Sequence, residues 1–329
     1  MQQIDFVILW VNGDDPEWRG EFRKARIAEN ADASEVRYRD WRNLDYWFRT
    51  VERFAPWVRR IHFVTWGHLP QWLNTTHPKL HVVNHPDFIP SQYLQTFNSN
   101  AIELNLHRVE GLAEHFVLFN DDMFLTRECR PEDFFSPEGL PRDIARLSII
   151  ETSPIGHIVQ NDMQLINERH PKSRSVKQHF GKWFSLRYGA GNLLKTLSLM
   201  PWDHFSGLLD THMPQPYLKS RFAEAWDLWG ERLHETCMHR IRNLSDLSHW
   251  LIRYDTLVRG DFKPRGMGDC RLMTISDYTL DDICRDIAAK RWRMVCINDS
   301  DKITDFDTAA ERLRAAFDAV APEKSAYEI

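Results

Sequence analysis

Apolar residues in the first half of the chain come in short runs, set apart by polar stretches of helical period. Ile4 to Val11 has strand length and stops at Asn12-Gly13-Asp14-Asp15-Pro16, a strong turn signal. Glu17 to Asn30 is polar and helix-prone. Asp40 is suited to N-cap a helix running to about Phe54, with Leu44, Trp47, Phe48 and Val51 on one face and Pro56 just beyond. Arg60 to Trp66 reads as a second strand, Leu80 to Asn84 as a third, and His115 to Asn120 as a fourth that runs into Asp121-Asp122. Asn98 to Val109 reads as a helix ended by Gly111. Strands alternating with helices imply an α/β fold around a largely parallel sheet covered on both faces.

From about Pro154 the period becomes helical: Asp162 to Arg169, Ser175 to Tyr188, Tyr217 to Trp229 and Ser245 to Leu257, then a glycine-containing loop from Gly260 to Asp269. A helix over Asp277 to Lys290, a late strand over Arg293 to Ile297 and a helix over Thr304 to Val320 close the chain. The pattern predicts an α/β core over 1–150, a helical insertion over 151–275, and a segment over 276–329 whose strand returns to the first sheet.

Composition narrows the class. Of 329 residues, 43% are hydrophobic and 27% charged, which excludes a disordered chain. The net charge of −5 lacks the basic field of a duplex nucleic-acid binder. The five cysteines have no Cys-x-x-Cys pair, which argues against a disulfide framework or zinc knot and for buried thiols. No apolar run is long enough to span a bilayer, and Met1 leads into the first strand with no basic leader, so a cytoplasmic protein is expected. Walker, G-x-G-x-x-G, H-E-x-x-H and G-x-S-x-G motifs do not occur.

Ligands of open α/β sheets bind beyond the carboxyl ends of strands. Three predicted strands end in acidic or amide-rich turns: Asn12 to Asp15, Asn120 to Asp122, and Asn298 to Asp301. Side by side, such turns concentrate the hard oxygen ligands that a magnesium ion bridging phosphates requires, although Asn and Asp also simply end strands. Asp121 and Asp122 are the more specific signal, because adjacent carboxylates repel. Glu103 and His107 share a helix face at i, i+4, as an acid/base pair or as a plain salt bridge. His212 precedes Met213-Pro214-Gln215-Pro216, which fixes the backbone around one imidazole. Arg240 and Arg242 flank Ile241 and can share a face as a phosphate clamp or as a solvated basic stretch.

Four blocks, in order, carry a resemblance. The first is Ile4-Asp5-Phe6-Val7-Ile8-Leu9-Trp10-Val11-Asn12-Gly13-Asp14-Asp15-Pro16. The second runs from Arg37-Tyr38-Arg39-Asp40 through Arg49, Phe54-Ala55-Pro56-Trp57 and Thr96-Phe97-Asn98-Ser99-Asn100-Ala101-Ile102-Glu103 to Phe119-Asn120-Asp121-Asp122-Met123-Phe124. The third is His212-Met213-Pro214-Gln215-Pro216-Tyr217 with Arg240-Ile241-Arg242, and the fourth Cys296-Ile297-Asn298-Asp299. Together they resemble the Stealth family, the sugar-1-phosphate transferases of bacterial capsule and exopolysaccharide synthesis; the catalytic subunit of animal N-acetylglucosamine-1-phosphotransferase is similar. Asn12, Asn43 and Gln95 depart from the family's usual residues.

The resemblance implies a Rossmann-like, glycosyltransferase-type (GT-A-like) sheet with a helical insertion. It implies transfer of hexose-1-phosphate from a nucleotide sugar, expected to be a UDP-sugar, to a hydroxyl of an oligo- or polysaccharide acceptor, with release of nucleoside monophosphate. His212 is then the expected base, with Glu103 as the next candidate, and Arg240 and Arg242 hold the diphosphate. Asp121 and Asp122 hold Mg2+ or Mn2+. Asn12, Gly13, Asp14, Arg49, Asn98 and Asn298 shape the nucleotide site. Peripheral association with a capsule assembly complex at the inner membrane face fits this role. An ordinary metal-dependent glycosyltransferase and a non-catalytic carbohydrate-binding protein are the alternatives.

Overall fold

A computed structural model describes residues 2–29 and 39–329; Asn30 and the Arg37-Tyr38 pair lie outside the described residues. The strands are β1 (Ile4–Trp10), β2 (Ile61–Thr65), β3 (Leu80–Asn84), β4 (His115–Asn120), β5 (Met123–Leu125), β6 (Arg142–Asp143), β7 (Gln215–Leu218), β8 (Lys263–Pro264), β9 (Cys270–Thr274) and β10 (Met294–Asn298). The central sheet has the order β3-β2-β1-β4-β7. Its first four strands are parallel, in registers such as Phe6↔Ile61 and Ile8↔Phe119. The fold is thus α/β around a mainly parallel sheet.

Period-two alternation along β1 divides the core. Ile4, Phe6, Ile8 and Trp10 enter one apolar cluster with the helix Leu44–Phe54, the strands β5 and β10, and the last helix, Phe306–Asp318. Val7 enters the other, with the helices Pro154–Arg169, Lys219–Met238 and Trp250–Val258. The helical middle of the chain therefore packs on one face of the sheet and the C-terminal segment on the other. Trp47 shows why the Leu44–Phe54 helix docks where it does: fully buried, it meets Phe119 of β4 edge-on, with ring centroids 5.4 Å apart.

Four expectations need correction. The late strand does not return to the first sheet. β10 is the centre of a separate sheet, β5-β10-β9, because the chain leaves the parallel sheet directly after Asp122 and β10 pairs antiparallel with β5, Cys296 opposite Met123. β9, which lies between the expected loop and the expected helix and belongs to neither, pairs parallel with β10. Tyr217 does not open a helix: it lies in β7, antiparallel to β4, where Pro216 is tolerated because β7 is the sheet's edge. Finally, the helix at Leu44 is preceded by Asn43 rather than capped by Asp40. The Asp40 carboxylate instead accepts from the Arg42 N–H at 2.7 Å.

Candidate functional site

Both sheets turn their carboxyl ends toward one cavity of about 530 Å³, a size suited to a nucleotide-scale ligand. Its walls include Asn120, Asp121 and Asp122 after β4, Glu103 from the helix Ser99–Leu104, His212 before β7, Arg242, and Asn298 and Asp299 at the end of β10. The Asp121-Asp122 turn is the joint between the two sheets: the Asp122 carbonyl accepts from the Ile297 N–H at 2.9 Å, tying β4 to β10.

The acidic turn has unspent capacity. Asp122 Oδ1 is buried without a hydrogen-bond partner. Its Oδ2 accepts the Cys296 thiol at 3.2 Å and lies 3.8 Å from His212 Nε2. Asp121 opens onto the cavity, yet protein surrounds that cavity; desolvation, then the charges of Asp122 and Asp40, push its carboxyl up to about 7. One ligand atom each from Asp122, His212 and Cys296 lies within 4.8 Å of the others, so this trio can close on an ion.

His212 sits at φ +47°, in the left-handed region that a non-glycine residue adopts only under constraint from its surroundings. Burial lowers its pKa. The facing Asp122 carboxylate, then the charges of Asp210 and Glu103, outweigh that, and the imidazole titrates above its ordinary value. Glu103 is 5% exposed. Burial raises its carboxyl to about 7 against the opposing pull of Arg242 and His212. The neighbouring His249, 3.7 Å away, adds no counter-charge, since burial drops its pKa to about 3. Arg242 donates to the Ser99 hydroxyl at 2.5 Å, which aims the guanidinium at the cavity.

Other residues named from the sequence fall elsewhere. Arg240 donates to the Gln95 carbonyl at 2.9 Å and does not line the cavity. Arg49 is held by Glu328 at 2.8 and 2.7 Å, a fixed pair joining the Leu44–Phe54 helix to the C-terminus. Asn98 caps its helix, accepting from the Asn100 N–H at 3.1 Å, and donates to Asp246 at 2.7 Å, all behind the wall. Asn12, Gly13 and Asp14 close their own turn: the Asn12 side chain accepts from the Asp14 N–H, the Gly13 carbonyl from Arg19, and Asp14 pairs with Arg19 at 2.5 Å. His107 packs against Phe222 and Trp226, with burial lowering its pKa to about 4.

Sequence reasoning missed Ser99 and Cys296 as partners of Arg242 and Asp122, although both lie inside the motif blocks. It also missed the rim made by Asp40, Trp41 and Asn43 with the Arg39–Asp299 pair. Asp40 had been assigned to a helix cap, and a cap satisfied by its own backbone leaves no carboxylate for a cavity.

The profile of Stealth protein conserved region 1 matches residues 2–28, and that of conserved region 2 matches residues 37–143. A relative named capsular polysaccharide phosphotransferase WcwK, from Streptococcus pneumoniae, is 40% identical over 333 residues, covering 100% of this chain and 98% of its own. This chain belongs to the Stealth family. Other relatives are the exopolysaccharide phosphotransferase cps2G of Lactiplantibacillus plantarum, 39% identical over 99% of this chain and 96% of its own, and the receptor polysaccharide phosphotransferase WefC of Streptococcus gordonii, 36% identical over 100% of both. The galactosyltransferase LgtC, solved with donor and acceptor sugar analogues, overlaps 96% of each chain at 12% identity. Its TM-score of 0.38 is too low to carry an argument about this chain. The second Stealth region spans Asp40, Ser99, Glu103, Asp121 and Asp122, whereas His212, Arg242 and Asn298 reach the same cavity from outside both matched regions.

Proposed function

We propose that this chain transfers a sugar-1-phosphate from a nucleotide sugar, in our reading a UDP-sugar, to a hydroxyl of an oligo- or polysaccharide acceptor during capsule or exopolysaccharide synthesis. The observation that carries the proposal is whole-length similarity to Stealth relatives named phosphotransferases. The cavity holds groups suited to the reaction. The acceptor oxygen attacks the phosphorus attached to the sugar, its proton passes to His212, and the bond to the nucleoside monophosphate breaks. Arg242, braced by Ser99, grips the diphosphate, and Asn298 shapes the nucleotide end. With Arg240 turned to Gln95, the anion clamp rests on one guanidinium rather than two.

The unpartnered Asp122 Oδ1 beside Asp121 fits a hard divalent cation. Held on these two carboxylates, Mg2+ or Mn2+ would supply neutralising charge at the phosphates. Cys296 then serves Asp122 as a thiol donor beneath it, since sulfur suits softer metals. Among the described residues no helix is long and apolar enough to cross a membrane; the association we propose with a membrane-bound assembly complex is a peripheral one.

The test is to incubate the protein with nucleotide sugars, acceptor glycan and Mg2+ and to identify the nucleotide released. Uridine monophosphate supports the proposal, whereas uridine diphosphate would make this an ordinary glycosyltransferase and overturn it. His212→Ala should lose roughly 10²–10⁴-fold in rate, the usual worth of a general base, while donor and Mn2+ still bind. Loss of Mn2+ binding in that variant would move His212 from base to metal ligand.

A further inference from the structure

Residues 171–202 carry six Lys or Arg and no Asp or Glu, in a chain whose net charge is −5. The same stretch exposes apolar side chains. Among the described residues fourteen large hydrophobics are exposed, and five of them, Phe180, Leu186, Leu194, Leu197 and Trp202, fall within this tenth of the chain, each 57% to 87% exposed. Cationic and apolar exposure thus coincide on one short segment.

The segment folds back on itself. The Lys172 ammonium donates to the carbonyl oxygens of Leu199 and Trp202 at 2.6 and 2.5 Å, clipping its end to its start. Tyr188 donates to the Lys182 carbonyl at 2.6 Å, and Phe180 stacks on Phe184 at 4.7 Å. The helix Ala190–Ser198 is turned the wrong way round for a water-facing helix. Its one buried residue is Thr196, whose hydroxyl accepts from the Leu147 N–H, while Leu194 and Leu197, at i and i+3, share the outward side. Lys172 and Lys182 are spent on backbone carbonyls. Arg174, Lys177, Arg187 and Lys195 are exposed, and none has an ion-pair partner among the described residues.

We infer that this segment is the surface by which the protein docks on an anionic lipid bilayer, its apolar side chains in the headgroup boundary and its free cations on the lipid phosphates. Charge decides between occupants. A second copy meeting the same face would set unpaired cations against unpaired cations, whereas an anionic bilayer supplies the opposite charge and an apolar interior together. The inference gives a surface to the peripheral association proposed above and rests on that reading, but not on the transfer chemistry.

The test is co-sedimentation with vesicles of equal parts phosphatidylglycerol and phosphatidylcholine, against vesicles of phosphatidylcholine alone. The wild-type chain should bind the anionic vesicles and release in high salt. Lys177→Glu with Lys195→Glu should weaken binding by about 25-fold or more, taking about fivefold for each cation removed near an anionic surface. Leu194→Glu with Leu197→Glu should also lose binding, with melting temperature and transfer to a soluble acceptor unchanged in both double variants. Wild type that stays off anionic vesicles overturns the inference and leaves the association with an assembly complex to protein contacts. Wild type that binds, with both variants binding equally, overturns the surface alone. Variants that change self-association without any vesicle binding identify a second copy as the occupant and overturn it as well.

Discussion

Two turns of nearly the same composition stand at the carboxyl ends of the adjacent parallel strands β1 and β4, and they do opposite things. In Asn12 to Asp15 each polar side chain has a partner within the turn or in the helix that follows. Asp15 caps the following helix through the Trp18 N–H at 2.8 Å, Asn12 accepts from the Asp14 backbone at 3.0 Å, and Asp14 pairs with Arg19. In Asn120 to Asp122 one buried carboxylate oxygen has no partner and the adjacent carboxyl is driven up to about 7. Composition marks both turns as polar strand ends. Spare hydrogen-bonding capacity in a cavity marks only the second as a place for a ligand.

The comparison breaks most visibly at Asp122. Asp122→Asn should cut transfer by roughly 10²–10³-fold, the scale of one lost preorganised electrostatic contact. Melting temperature without metal should change little, because Oδ1 has no protein partner to lose. Near-normal turnover, or a large fall in stability, would return this turn to the same structural category as the first.

Glu103 extends the contrast to pH. Its carboxyl titrates near 7 in the folded chain against an ordinary 4.5. Between those values the unfolded chain has released a proton that the folded chain keeps. Stability contributed by this group therefore falls as pH rises through that window and levels off above it. Glu103→Gln removes the penalty. Relative to wild type in denaturant titrations without metal, it should gain up to roughly 3 kcal/mol at pH 8 and little at pH 4.5. A difference that does not vary with pH would mean the buried carboxyl is compensated.

Arg242 and Arg240 provide the same test for cations. They are two residues apart, and only Arg242 lines the cavity. Arg242→Lys should lower kcat/KM for the donor by about tenfold or more through loss of the bidentate fork, while Arg240→Lys leaves it near wild type. Equal effects would restore the paired clamp that the sequence spacing suggested.

Much of this was legible in the sequence, for identifiable reasons. β3 and β4 were placed residue for residue because prolines or an acidic turn bound their apolar runs. β5 and β9 escaped because one has three residues and the other, Cys-Arg-Leu-Met-Thr, exposes three side chains and lacks an apolar run. Their absence sent β10 to the wrong sheet. Within the site, Asp121, Asp122, Glu103, His212, Arg242 and Asn298 were named from chemistry and motif and meet in one cavity. Arg49 and Asn98 were named from the same blocks, yet Glu328 and Asp246 hold them. A motif match cannot separate a residue that meets ligand from one that builds the wall, since the partner that decides lies more than a hundred residues away in sequence.

The smallest expected effect sharpens the comparison from its structural side. Asp15 accepts from the Trp18 N–H at the start of the helix Pro16–Ala28, a cap also favoured by Pro16 at the first helical position. Asp15→Ala leaves that N–H without its side-chain acceptor and should cost about 1 kcal/mol of stability. Its carboxylate is not part of the cavity wall. Trp18, which does reach that wall, is held by stacking on Phe22 and by Phe97 as well as by the cap. Transfer should therefore stay within about twofold of wild type, the range of a substitution away from the site. Denaturant midpoints and donor kinetics on the same preparation decide it. A kinetic loss approaching that of Asp122→Asn, with stability unchanged, would place the first turn in the reaction and erase the distinction between the two strand ends.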